Sequence, residues 1–168
     1  MQITMYETLV PTANRMLGNL SNFLDKAEAF AAAKKIDGAV LLNSRLAPDM
    51  FPLTRQVQIA SDMTKGAAAR LSGTEIPKYE DNETTIAELK ARIAKTLAFV
   101  NSIDAAKYTG SDERDVTLQL RTGDRHFKGL NYLRDYVLPN VYFHVTSAYA
   151  ILRHSGVELG KNDFIGAQ

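Results

Sequence analysis

Residues 140–156 read NVYFHVTSAYAILRHSG and carry His144 and His154, two of the three histidines in the chain. The stretch is either half of a metal site or a core helix that happens to hold histidines. It belongs to a longer segment, LPNVYFHVTSAYAILRHSG, in which Pro139 opens or kinks a helix and Gly156 ends it. Arg153 and His154 fall in the last turn, where positive charge suits the helix dipole. His144 and His154 are ten residues apart. On a helix that is about 80° of rotation and ~15 Å of rise, so the two cannot share an ion. A chelating pair on a helix needs a spacing of three or four. Four residues after His144 stands Ala148, and four before it Asn140. Asn140 shares a face with His144, but an amide is a poor ligand for zinc or nickel beside imidazole or carboxylate.

Working outward, three more long helices are legible. The first spans about residues 4–35, with Leu9, Ala13, Met16, Leu17, Leu20, Phe23, Leu24, Ala27 and Phe30 at steps dominated by three and four. Pro11 predicts a start or a kink there. A short helical piece follows in AVLLNSRL. Then LAPDMFPL breaks the chain, with Pro48 and Pro52 bracketing Asp49. The second long helix, LTRQVQIASDMTKGAAARLSG, has a stripe of Leu53, Val57, Ala60, Ala67 and Leu71 and a stop at Gly73. After the polar linker TEIPKYEDN, Thr85 and Glu88 form a capping box for the third. Its stripe is Ile86, Leu89, Ile93, Leu97 and Val100, and Lys90, Arg92 and Lys95 lie off it.

The period then changes. Val116, Leu118 and Leu120 alternate with Thr117, Gln119 and Arg121, which predicts a strand. A turn at Thr122-Gly123-Asp124 leads to a returning strand over 125–128, and the hairpin packs on the helices, being marginal alone. Asn131 is read as the cap of a short helix, NYLRDYV, and the tail VELGKNDFIGAQ as irregular chain packing across the bundle end through Phe164 and Ile165. Four long amphipathic helices predict an all-α, antiparallel four-helix bundle in one domain, residues 1–168, with a small β-hairpin inserted before the last helix.

Composition narrows the chemistry. Twenty basic and nineteen acidic residues leave a net charge of +1, without the basic footprint of a nucleic-acid binder. The absence of cysteine excludes thiol catalysis, disulfides and thiolate zinc sites, and fits the cytoplasm. The first residues lack a signal-peptide pattern, and no apolar run approaches the ~20 residues that span a bilayer. No phosphate loop, GxSxG elbow or HExxH is present.

Two stretches, LAPDMFPLTRQVQIASD and LPNVYFHVTSAYAILRHSGVELGKNDFIG, resemble the signature segments of a bacterial family of unknown function related to the DinB/YfiT-like superfamily of metal-dependent helical bundles. The resemblance covers almost the whole chain. It implies an up-down-down-up bundle, and a homodimer. It also implies a three-histidine metal motif, with one ligand on the second helix and two, four apart, on the last, followed by Leu-Arg-x-x-Gly. Leu152, Arg153 and Gly156 match that pattern, which puts His144 on the second histidine of the pair and Asn140 on the first. The stretch Ala60-Ser61-Asp62 lines up just after the second-helix position, so Ile59 or Gln58 stands there. Two of three ligands are thus replaced, and no cofactor is expected beyond a divalent metal, zinc or nickel, recruited at His144.

The remaining candidates follow from these placements. His144 is either a surviving general base or hydrogen-bond donor, or a core histidine bonded to Asn140 or to backbone. Gln56, one turn before Ala60 on the inner stripe, needs buried partners, which predicts a polar cluster of Gln56, Asn140 and His144. Tyr142 and Tyr149, seven apart, either pack the core or line a small-molecule pocket beside His144. Asp49 either caps the following turn or helix, or reaches over the bundle as a ligand or base. Arg55 and Lys65 are expected in solvent, and His154 as a helix-end cation. Two functions compete: a small-molecule-binding or enzymatic bundle with its pocket near His144, and a homodimeric structural protein.

Overall fold

Two of the four long helices open on side-chain capping boxes, and the other two begin without a side-chain cap. In the computed structural model, which describes residues 3–166, α1 covers Met5–Lys34. The Thr4 hydroxyl accepts from the Glu7 amide, and Glu7 accepts from the Thr4 N–H at 2.9 Å. Pro11 lies inside α1 on its exposed face, where solvent can take the carbonyl that the proline leaves without a donor. A short α2 (Gly38–Asn43), capped by Asp37, leads to the Pro48–Pro52 break. There Arg45 donates to the carbonyls of Pro48 and Met50. Then follow α3 (Leu53–Ser72), ended by Gly73 in the left-handed region (φ 71°), and α4 (Ile86–Asn101), opened by the Thr85/Glu88 capping box.

The hairpin comprises β1 (Asp115–Leu120) and β2 (Gly123–Lys128), antiparallel, with Val116 opposite Phe127 and Leu120 opposite Gly123. That register makes Arg121-Thr122 the turn, one residue earlier than the sequence suggests. Val116 and Leu118 are buried, and Phe127 packs against Tyr132 and Tyr136. One face of the hairpin is therefore held on the helices.

The last helical run is continuous and irregular. A single turn, α5 (Gly129–Asn131), passes into π-helical turns over Tyr132–Val137 and then into α6 (Leu138–His154). Asn131 does not cap a helix, because the run already begins at Gly129. A side chain at Gly129 would lie 1.8 Å from the Ser111 carbonyl oxygen, so only glycine allows that approach. The wide turns precede Pro139, whose ring would collide with a carbonyl four residues back in a regular helix. The Leu138 N–H reaches the Leu133 carbonyl, five residues back.

Around the core, α1 packs between α4 and α6, and α3 packs between the same two helices. Leu20, Phe23 and Leu24 of α1 meet Val57 and Ala60 of α3, Leu89 and Ile93 of α4, and Val145 and Ala148 of α6 in one buried cluster. The tail is not irregular chain across the bundle end. It forms α7 (Lys161–Ile165) along the flank of α1, tied by Asn19 to the Phe164 carbonyl at 2.8 Å and by Lys26 to Asp163 at 2.8 Å. Phe164 packs on Tyr149, but Ile165 stays exposed. No described helix is long and apolar enough to cross a membrane.

The polar linker between α3 and α4 closes over a buried cation. The Arg92 side chain is only 2% exposed and contacts Asp62 and Asp81 at 2.9 Å, Glu83 at 2.8 Å and the Glu80 carbonyl at 3.0 Å. Lys65 is buried as well, against Asp62 at 2.9 Å and over the Tyr79 ring at 3.8 Å. Its expected place in solvent is therefore wrong, because the linker folds Tyr79 onto it. Arg92 holds three carboxylates from α3 and the linker together. Arg92→Ala would leave them facing one another, at a cost of roughly 3 kcal/mol, low in the range for a broken buried pair because Asp62 and Asp81 still see water. Urea unfolding checks this; a loss under about 1 kcal/mol would show that Arg92 does not anchor the linker.

Candidate functional site: a histidine held by a glutamine

Gln56 lies in the first turn of α3, facing α6, and is 1% exposed. Its amide nitrogen donates to the Phe51 carbonyl at 3.0 Å. A carbonyl only accepts, so this bond fixes which end of the amide faces it. Oε1 then points at α6, where His144 Nδ1 stands 2.7 Å away. Because Oε1 also only accepts, Nδ1 must carry the proton. In the neutral ring Nε2 keeps its lone pair, and it makes no hydrogen bond among the described residues. Nor is it one of the atoms sealed from solvent without a partner.

The surroundings favour the uncharged ring. Burial lowers the His144 pKa below its ordinary value, and the positive charge of Arg55 lowers it further. Arg55 is not simply solvated. It binds Gln58 Oε1 at 3.1 Å and pairs with Asp81. The Phe143 ring stands edge-on to the imidazole, 5.2 Å between centroids. Phe143 and Phe51 are both more than half exposed, and the edge of Phe143 gives the imidazole an apolar neighbour open to solvent. A neutral imidazole with its remote N–H anchored and its other nitrogen free can accept a proton or a hydrogen bond, or donate its lone pair to a metal.

The other candidates are dispersed. Asn140 is not in the cluster: its amide donates to the Tyr136 carbonyl at 2.6 Å, one turn back, beside the π-helical segment. Gln58, two residues from Gln56, leaves α3 on the opposite side and donates to Glu83 at 2.8 Å. Asp49 is exposed and forms neither the expected cap nor a bridge to the site; α3 begins without any side-chain cap. Tyr149 packs between Phe23 and Phe164, while Tyr142 lines a groove along α1 with Asn14, Gly18 and Asn22. Neither tyrosine borders His144. His126 meets Thr117 across the hairpin at 2.9 Å, on the surface. His154 is exposed in the last turn of α6. His144 lines none of five surface clefts formed by the described residues.

A three-histidine metal centre does not fit these residues. Asn140, at one implied ligand position, is an amide bonded to the Tyr136 carbonyl, the second-helix position holds either Gln58, bonded to Glu83, or Ile59, which has no ligand atom, and the Arg55 cation stands close enough to bias His144. No group of three or more histidine, aspartate or glutamate residues among those described is placed to hold an ion. Reasoning from sequence missed the Phe51 carbonyl and placed Arg55 in solvent; neither contact leaves a signal in local periodicity.

The linkage has a definite sign. The folded chain holds the His144 pKa below the unfolded value near 6.5, so the unfolded chain takes up the proton first as pH falls. The stabilisation from the neutral ring is complete above about pH 6.5 and is lost as pH drops below it, towards the folded pKa. Urea midpoints at about pH 7 and pH 5 should therefore differ less in His144→Gln than in the parent. An equal fall in both would contradict the assignment.

The chain is similar to known proteins over nearly its full length. A family model described as a domain of unknown function, DUF1993, matches residues 5–165. The crystal structure of a DinB family member from Shewanella denitrificans superposes with a TM-score of 0.92 at 45% identity, covering 98% of this chain and 93% of that one. No curated protein matches. With the helical fold, the inserted hairpin and these two matches in hand, the chain belongs to the DUF1993 family, a DinB-like family of unknown function.

Proposed function

We propose that this protein binds a small organic molecule at the rim of α3 and α6, with the neutral His144 imidazole as the group that meets it. The carrying observation is the relay from the Phe51 carbonyl through Gln56 to His144 Nδ1, which leaves Nε2 as an anchored acceptor. A histidine kept only for packing has no need of a fixed tautomer with its second nitrogen uncovered. The exposed ring of Phe143 supplies apolar contact beside the imidazole. In this reading the bundle keeps the frame of a metal-dependent relative in an up-down-down-up order, uses no resident metal, and employs His144 as a proton or hydrogen-bond acceptor.

The test is a nuclear magnetic resonance screen with small phenols, amides and carboxylic acids on the parent and on His144→Ala. Compounds that shift α3 and α6 amides should lose at least tenfold in affinity in the variant. Identical binding to both proteins would contradict the role of His144. Zinc and nickel titrations run beside it; a stoichiometric metal site lost in His144→Ala would replace this reading with a metal-dependent one.

A second reading, a homodimer built on this face, rests on the same exposed Phe51 and Phe143. It predicts that sedimentation at micromolar concentration gives a dimer, and that Phe143→Glu gives a monomer of unchanged helicity. A monomeric parent would exclude it.

A further inference from the structure

Gly66 is a buried glycine in the interior of α3. A side chain there would lie 2.5 Å from Arg70 Nη1, and among the described side chains it would meet only that guanidinium. Arg70 therefore runs back along its own helix and lays its charged end over the glycine. That path leads into a cleft of about 100 Å³ between α3, β1 and the π-helical turns. Met63 and Arg70 line it from α3, Leu118 and Leu120 from β1, and Tyr132 and Tyr136 from the π-helical turns. The two tyrosine rings stack at 6.0 Å between centroids. Wide turns of this kind recur at functional sites.

The guanidinium is only half used. Nη1 donates to the Tyr132 hydroxyl at 3.2 Å. Nε and Nη2, the opposite edge, make no hydrogen bond or ion pair among the described residues. Neither is sealed from solvent without a partner, as Nε of Arg92 is, so both are open to solvent. The N–H bonds of that edge run parallel, the fork that matches a carboxylate. Tyr132, accepting from Arg70, keeps its own proton, which has no acceptor among the described residues. Burial holds this phenol above its ordinary pKa, against the pull of Arg70, so the proton is present at neutral pH. Asp62 borders the cleft but forms no ion pair with Arg70; Lys65 and Arg92 each hold it at 2.9 Å.

We infer that this cleft binds the carboxylate of a small monocarboxylic acid, seated on Nε and Nη2 of Arg70 with its short apolar chain against Met63, Leu118 and Leu120. The volume is about three waters' share of liquid, which limits the occupant to a carboxylate with a short chain. A single guanidinium beside Asp62 disfavours a dianion such as phosphate. None of these residues belongs to the His144 site.

Sodium acetate, acetamide and inorganic phosphate serve as probes, titrated into the whole protein at constant ionic strength. The Arg70 Nε–H and the backbone amides of Gly66, Gln119 and Tyr136 are observed by nuclear magnetic resonance. Acetate should shift them saturably, acetamide should not, and phosphate should bind more weakly than acetate. Arg70→Lys keeps the charge and removes the fork. Gly66→Ala keeps the arginine but places a methyl where the guanidinium lies, in a helix that alanine favours. Each should weaken acetate at least about tenfold, the scale of one charge-assisted hydrogen bond. His144→Ala should leave acetate binding unchanged, which separates this site from the one at the α3–α6 rim. Absence of saturable shifts with acetate in the parent, unchanged acetate affinity in Arg70→Lys or Gly66→Ala, or a preference for phosphate would overturn the inference.

Discussion

A buried amide must satisfy both its ends, and Gln56 does so with two partners that set the geometry of the α3–α6 seam. One partner is the carbonyl of Phe51, inside the proline-bracketed segment that enters α3. The other is the imidazole of His144 on the facing helix. An unpaired end would cost on the order of 1–3 kcal/mol in this environment. The entry to α3, the approach of α6 and the tautomer of His144 are thus coupled through one side chain. The same amide that completes the core leaves His144 Nε2 without a hydrogen bond among the described residues.

A second polar constraint acts on the far side of α3. Arg92, Lys65 and Arg55 are balanced by Asp62, Asp81 and Glu83, and Gln58 joins Arg55 to Glu83. This network folds the linker against the seam of α3 and α4. It also holds Arg55 near His144, where its charge favours the neutral ring. Alternate faces of one helix therefore serve two purposes: the Gln56 face positions the imidazole, and the Gln58 face tethers the cation that biases it.

The helices were legible because their stripes and caps are local. The Thr85/Glu88 box, the Gly73 stop and the buried positions of α1 follow from residues within a few turns. The Gln56–His144 contact was legible too, since a glutamine on an apolar stripe and a histidine on a core helix each need a partner. Asn140 was misplaced because its amide had a nearer acceptor, the Tyr136 carbonyl beside the π-helical turns, and periodicity gives no sign of a π segment. The burial of Lys65 and Arg92 was hidden for a different reason. It depends on a linker whose composition is polar and whose path is set by tertiary ion pairs. The tail met the same difficulty: a five-residue helix is stable only through its contacts with α1, which local propensity does not report.

The central claim is that Gln56 holds His144 as the Nδ1–H tautomer with Nε2 free. Long-range proton–nitrogen correlation of the labelled imidazole at about pH 8 tests it directly. The account predicts a protonated, pyrrole-like Nδ1 and an unprotonated, pyridine-like Nε2 in the parent protein, with the preference lost in Gln56→Leu. A parent ring protonated at Nε2, or one whose tautomer ignores that substitution, would contradict it.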